Sequence, residues 1–202
     1  MLTIEERAKD IYKNYIEVIC PYIIQYELLD NTFPVEILNE IRAIFTHLAK
    51  YYLSDDILTK EKNISKAEGH IKRSILDCYK YICMAYDDKY EDFNRNYKNV
   101  DLSLVDNGEF LPKLLETRKD AITLMLDARK SDLLITSDDE TSVDEAYKKY
   151  EKAFIKYSLV YELINSSYKK IETLKKKVVV KNFLAVIGWI IGILGIILTI
   201  IL

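Results

Sequence analysis

Residues 142–202 read SVDEAYKKYEKAFIKYSLVYELINSSYKKIETLKKKVVVKNFLAVIGWIIGILGIILTIIL, and this stretch decides the architecture. It opens on a capping box, Ser142-Val143-Asp144-Glu145. No proline or glycine stands between that box and Gly188, so nothing stops a helix once it has started. The apolar positions alternate by four and three: Val143, Tyr147, Tyr150, Phe154, Tyr157, Tyr161, Ile164, Tyr168 and Ile171. The pattern predicts one helix from Val143 to near the C-terminus, about 60 residues and ~90 Å long, with a heptad seam. A seam of this kind packs on the rest of the chain or pairs with another copy.

The last part of that helix carries a different message. Phe183 to Leu202 holds no charged residue, and at ~1.5 Å per residue it spans ~30 Å, the thickness of a bilayer's hydrocarbon core. Lys169, Lys170, Lys175, Lys176, Lys177 and Lys181 precede it. Basic flanks stay on the cytoplasmic side, and they sit well among anionic headgroups. The expectation is a single-pass, tail-anchored protein of the cytoplasmic (inner) membrane. Residues 1–177 form a helical-bundle domain facing the cytoplasm, and residues 178–202 form the anchor. Membrane lipid is thus the first partner. Ala185, Gly188, Gly192, Gly195 and Thr199 share one face of the anchor, and Gly188 and Gly192 make a GxxxG motif, which lets two helices approach closely. The track Tyr150, Tyr157, Ile164, Ile171, Val178 runs into Ala185, Gly192 and Thr199 in one register. This predicts a homo-oligomer, a dimer or higher.

Composition narrows the class. Of five glycines and three prolines, only Gly69 and Gly108 are glycines outside the anchor. A sheet with hairpins needs more turn residues than that. The fold class is therefore all-α, an antiparallel helical bundle, with sixteen tyrosines as core bulk. A net charge of −3 argues against a strongly basic nucleic-acid binder. Cys20, Cys78 and Cys83 lack metal-ligand spacing and read as reduced, buried thiols. Two histidines make a histidine metal site unpromising, and no motif implies a cofactor.

Upstream, Ile4, Ala8, Ile11, Tyr15, Val18 and Tyr22 mark a first helix to about Leu29, which Pro21 should kink or split. Pro34 opens a second helix to about Leu53. A third covers about Ile64 to Asn96. Asn99 to Gly108 reads as a polar loop, Glu109 to Leu134 as a fourth helix, and Ser137 to Thr141 as an acidic loop. The second and third helices make an antiparallel hairpin. With its centre near residue 58, His47 and His70 lie at one height, Glu40 level with Asp77, and Arg42 near Arg73. His70, Arg73 and Asp77 share a face at i, i+3, i+7. Six ionisable groups therefore converge between two helices.

The segment Glu40-x-Arg42-x4-His47-Leu48-Ala49, on the second amphipathic helix of an all-α domain, resembles the signature of HEPN domains. Those are helical bundles of prokaryotic toxin–antitoxin, CRISPR and antiphage (antiviral) defence systems. Many are metal-independent ribonucleases whose active site forms at a dimer interface; others only bind or dimerise. The resemblance implies that Arg42 stabilises charge on a scissile phosphate and that His47 acts as general acid or base on the 2′-hydroxyl, chemistry suited to both side chains. Glu40, His70, Arg73 and Asp77 would support the site or bind ligand.

The residues themselves leave three readings open. The cluster is a structural lock in which Glu40 or Asp77 pairs with Arg42 or Arg73, a ribonuclease site, or a binding site for a nucleotide or phosphate. The functions that follow are a membrane-tethered RNA-cleaving effector or toxin, a non-catalytic defence or signalling protein that binds a ligand or partner and oligomerises in the membrane, and a tail-anchored scaffold. RNA or a nucleotide is the candidate ligand, and a protein encoded nearby the candidate partner.

Overall fold

Pro21 removes one backbone donor from the first helix, and the chain answers with a wider turn rather than a break. Such widening relieves the clash between a proline ring and the carbonyl one turn back. The computed structural model, which describes residues 2–133 and 140–201 and leaves aside the side chains of 140–143, 195 and 197–201, shows α1 (Ile4–Asn14) and α2 (Cys20–Asp30) joined by a π-helical turn, Tyr15–Ile19. Within that turn the Cys20 N–H donates to the Tyr15 carbonyl, five residues back. Asn31 ends α2 in the left-handed region at φ 58° and returns its N–H to the Glu27 carbonyl, a C-terminal stop that asparagine tolerates.

Helix α3 spans Val35–Leu53, with Pro34 just outside it as N-cap. Helix α4, Ile57–Tyr97, begins seven residues before the expected Ile64. The reason is Asp56, whose carboxylate accepts from the Thr59 N–H at 2.9 Å and from its hydroxyl at 2.6 Å. That N-cap starts the helix straight after Leu53-Ser54-Asp55. The expected loop at 99–108 contains a 3-10 segment, Leu102–Gly108. Helix α5 is Phe110–Leu133 and α6 is Glu140–Ile201. Most of the acidic loop Ser137–Thr141 lies outside the described residues, and so does the side chain of Ser142; α6 has already begun two residues before it.

The protein is all-α, and no strand occurs among the described residues. Tyr22 meets Tyr79 and Gln25 meets Tyr86, so α1–α2 run parallel to α4. Tyr86 meets Tyr161 and Tyr97 bonds Glu172, so α4 runs parallel to α6. Helices α3 and α5 return in the opposite direction. The larger core joins α1 to α4 with the first half of α6 through residues such as Ile11, Ile37, Ile44, Leu48, Ile64, Ile82 and Tyr150. A second core, Tyr90, Phe93, Val105, Phe110, Leu114, Val160, Ile164 and Ile171, closes the other end. Arg7 clips α1 to α4: its fork meets Glu68 at 2.6 and 2.8 Å, and it also reaches Ser65 and Glu61.

One track of the α6 seam, Tyr150, Tyr157, Ile164 and Ile171, is buried within the chain, Ile171 at 0% exposed, while the other track is partly buried at Tyr147, Phe154 and Tyr161 and exposed at Tyr168. The part of the seam up to Ile171 therefore packs on the bundle. From Val179 to Leu194 every residue is exposed. The helix leaves the bundle there and projects alone. Residues Asp144–Leu194 contain a window of mean hydropathy 1.9, none of it buried, long and apolar enough to cross a membrane.

Candidate functional site

Hairpin α3–α4 places the two histidines as the sequence symmetry requires. Their rings stack at 5.3 Å between centres, with 18° between planes. Each is half-buried, and each is held by its Nδ1. His70 Nδ1 lies 2.6 Å from Glu40 Oε2. His47 Nδ1 lies 2.9 Å from Asn63 Oδ1. The Asn63 amide nitrogen donates to the Thr59 carbonyl at 2.8 Å, which fixes Oδ1 as the acceptor. A carboxylate and an amide oxygen both accept, so each ring presents a proton on Nδ1, and in the neutral ring the lone pair is then on Nε2. Two Nε2 atoms on adjacent rings, one backed by a carboxylate, form an acid/base pair once one ring is protonated.

Glu40 and His47 lie on one face of α3 because seven residues make almost two turns. Arg42 does not share that face. Five residues rotate it by about 140° from His47. Arg42 is exposed, and so is Arg73; among the described residues neither makes an ion pair. The salt bridges of Glu40 or Asp77 with Arg42 or Arg73 are not those the structure contains. Glu40 takes His70, and Asp77 takes Lys80 at 3.5 Å. Of the six groups, Glu40, His47 and His70 are in direct contact, and Asp77 lies close enough to Glu40 to feel its charge.

Lys80 continues the polar line. It reaches Asp132 of α5 at 2.8 Å and sits 5.2 Å from the centre of the Tyr150 ring, whose hydroxyl donates to Asp132 at 3.2 Å. Burial raises the Asp77 carboxyl above its usual range, Lys80 opposes that shift, and Glu40 adds to it. Asn63, Lys80 and Asp132 are the site neighbours that sequence reasoning missed. Asn63 was lost because the expected helix began one residue after it. The cap at Asp56 with Thr59 was the available signal.

The cysteines play no part in this cluster. Cys78 and Cys83 are buried free thiols, and burial pushes Cys78 up to about 12 and Cys83 up as well. No three His, Cys, Asp or Glu side chains among the described residues gather as metal ligands. The histidine pair is also remote from the apolar end of α6. Lys72 bonds Asp144 at 2.8 Å, which sets its level on α6. From Asp144 to Phe183 is about 58 Å of helix. No family model, curated protein or solved structure matches this chain.

Proposed function

We propose that the protein is a membrane-anchored effector whose helical bundle stands in the cytoplasm and whose copies associate through the small-residue face of α6. One observation carries this reading: α6 packs in the bundle as far as Ile171 and is wholly exposed from Val179 to Leu194, with no charged residue from Phe183 onward. An exposed face of that size is destabilising in water and stabilising in lipid. The lysines between the two parts favour a cytoplasmic bundle by the positive-inside rule. The setting suggested by the resemblance to HEPN domains is prokaryotic defence. The test is flotation with vesicles after carbonate washing, together with protease access to the bundle from each side. A chain released by carbonate, or a bundle protected from cytoplasmic protease, contradicts the proposal.

A second reading is favoured by the stacked histidines. Their two Nε2 atoms and the Glu40 backing suit metal-independent RNA cleavage, with one ring accepting the 2′-hydroxyl proton and the other protonating the leaving oxygen. Arg42 turns away from the pair, so on this reading it would meet RNA bound to a second copy, as the HEPN resemblance implies. Loss of cleavage or growth inhibition in both His47→Ala and His70→Ala supports it. Full activity in either variant removes it.

A further inference from the structure

Where α6 emerges from the bundle it carries a face of unneutralised cations. Residues 173, 177 and 181 form one ridge of the helix and 176, 180 and 184 the next, since i and i+4 neighbours stack. Thr173, Lys176, Lys177, Val180, Lys181 and Leu184 line the shallow hollow between these ridges. Two other lysines nearby are engaged. Lys170 bonds Asp106, and Lys175 lies over the Tyr97 ring at 4.7 Å. Lys176, Lys177 and Lys181 make no ion pair among the described residues. The face that packs on the bundle, Ile164, Ile171 and Leu174, lies on the other side of the helix, so the hollow opens outward.

Height decides what the hollow meets. Resting on the membrane-spanning reading, we propose that it binds the phosphate of an anionic phospholipid headgroup. Phe183 begins the charge-free run. Lys181 then stands ~3 Å above the hydrocarbon edge, and Lys177 and Lys176 ~9 to ~10 Å above it. The headgroup layer is ~5–7 Å thick on each side of a bilayer, so the three ammonium groups bracket the plane of the phosphates. Their flexible stems let the heads adjust to that plane. Leu184, just inside that edge, offers apolar contact to the upper acyl chain of the same lipid. One site thus provides charge at phosphate depth and hydrocarbon contact below it, the order in which a phospholipid presents itself.

The experiment uses the full chain in phosphatidylcholine vesicles containing spin-labelled phosphatidylglycerol or spin-labelled phosphatidylcholine. The fraction of each label immobilised at the protein gives a relative association constant. One lysine in register with one headgroup predicts about a 5-fold preference for phosphatidylglycerol. The preference should fall towards one in 0.5 M salt and in Lys176→Gln/Lys177→Gln/Lys181→Gln. It should survive Lys62→Gln/Lys66→Gln, which alters exposed lysines far from the span. Equal association of both lipids with wild type overturns the proposal, as does undiminished preference in the triple variant. Displacement of the lipid by millimolar inorganic phosphate, or a tighter hold on a single-stranded oligonucleotide, also overturns it. A chain that fails to float with the vesicles defeats the membrane reading itself, and so the two failures are distinct.

Discussion

Asp77→Asn separates a structural lock from a poised polar cluster, and the structure sets its sign. Had Asp77 been the anchor of a buried ion pair, removing its charge would strand a cation and cost ~3–5 kcal/mol. The geometry is otherwise. Lys80 is 3.5 Å from Asp77 but 2.8 Å from Asp132, so it keeps its better partner in the variant. The lost contact is a loose i,i+3 pair on one helix, worth ~0.2–0.5 kcal/mol. Against it stand the burial of Asp77 and the nearby charge of Glu40, both of which raise its carboxyl. A carboxyl whose folded pKa is raised takes up its proton more readily when folded. Its favourable contribution is present below the unfolded value and is lost as pH rises through the folded value. At pH 7 the ionised Asp77 therefore opposes folding.

Asp77→Asn should then leave stability unchanged or improve it slightly at pH 7, within about 0.5 kcal/mol of the lost pair's worth. Its advantage should shrink as pH falls and wild-type Asp77 protonates. Lys80→Met is the counterpart: it leaves Asp132 and Asp77 without their cation and should cost ~1–3 kcal/mol. Urea titration of the full chain in mild detergent, followed by far-ultraviolet circular dichroism at pH 7 and pH 4.5, reads both. A loss of 3 kcal/mol or more in Asp77→Asn at pH 7 refutes the reasoning.

Arg42→Ala should change stability by less than about 0.5 kcal/mol, as an exposed side chain without a partner does; a large drop in melting temperature would show a contact that the exposed arginine lacks here. Gly192→Ile should reduce crosslinking of the full chain in bilayers, because a β-branched side chain separates closely packed helices, and equal crosslinking would leave this face to lipid. In the folded chain at pH 8, maleimide should label Cys20 and spare Cys78, whose thiol burial pushes up to about 12; quick labelling of Cys78 would mean that α4 opens. Thr3→Ala removes the α1 capping box and should cost ~0.5–2 kcal/mol, and an unchanged urea midpoint would contradict it.

The bundle was largely legible because each helix carried its own punctuation. Pro34 and the scarcity of glycine marked the order of the helices, and Pro21 marked where the first would kink or split, which the π-helical turn before it resolves into α1 and α2. The level of His47 with His70 followed from counting back from the hairpin turn. What failed was local. Asp56 caps α4 seven residues before the expected start at Ile64, and that late start hid Asn63. The arginines failed for another reason. Spacing along a helix gives height, but height alone brings Arg42 no nearer to His47 when about 140° of rotation lies between them. Lys80 stands on α4 itself, three residues past Asp77, but its closer partner Asp132 comes from α5, and no pattern within the α3–α4 hairpin could have named that contact.

The seam of α6 shows the limit of pattern in another way. One three-four alternation runs from Tyr150 through Ile171 and Val178 to Ala185 and Gly192, yet its partner changes along the way. Up to Ile171 the partner is the chain's own bundle. Beyond Val179 the same face is exposed. Periodicity reports that a face is shared and not with what, since apolar contact is non-directional. The register has a consequence for the proposed pairing. A face aligned with the bundle-packing side lies on the side of its own bundle. Two copies joined at Gly192 would therefore bring their bundles towards one another above the paired helices. Self-association in the membrane and contact between bundles are then one event, and a variant that weakens the first should separate the second.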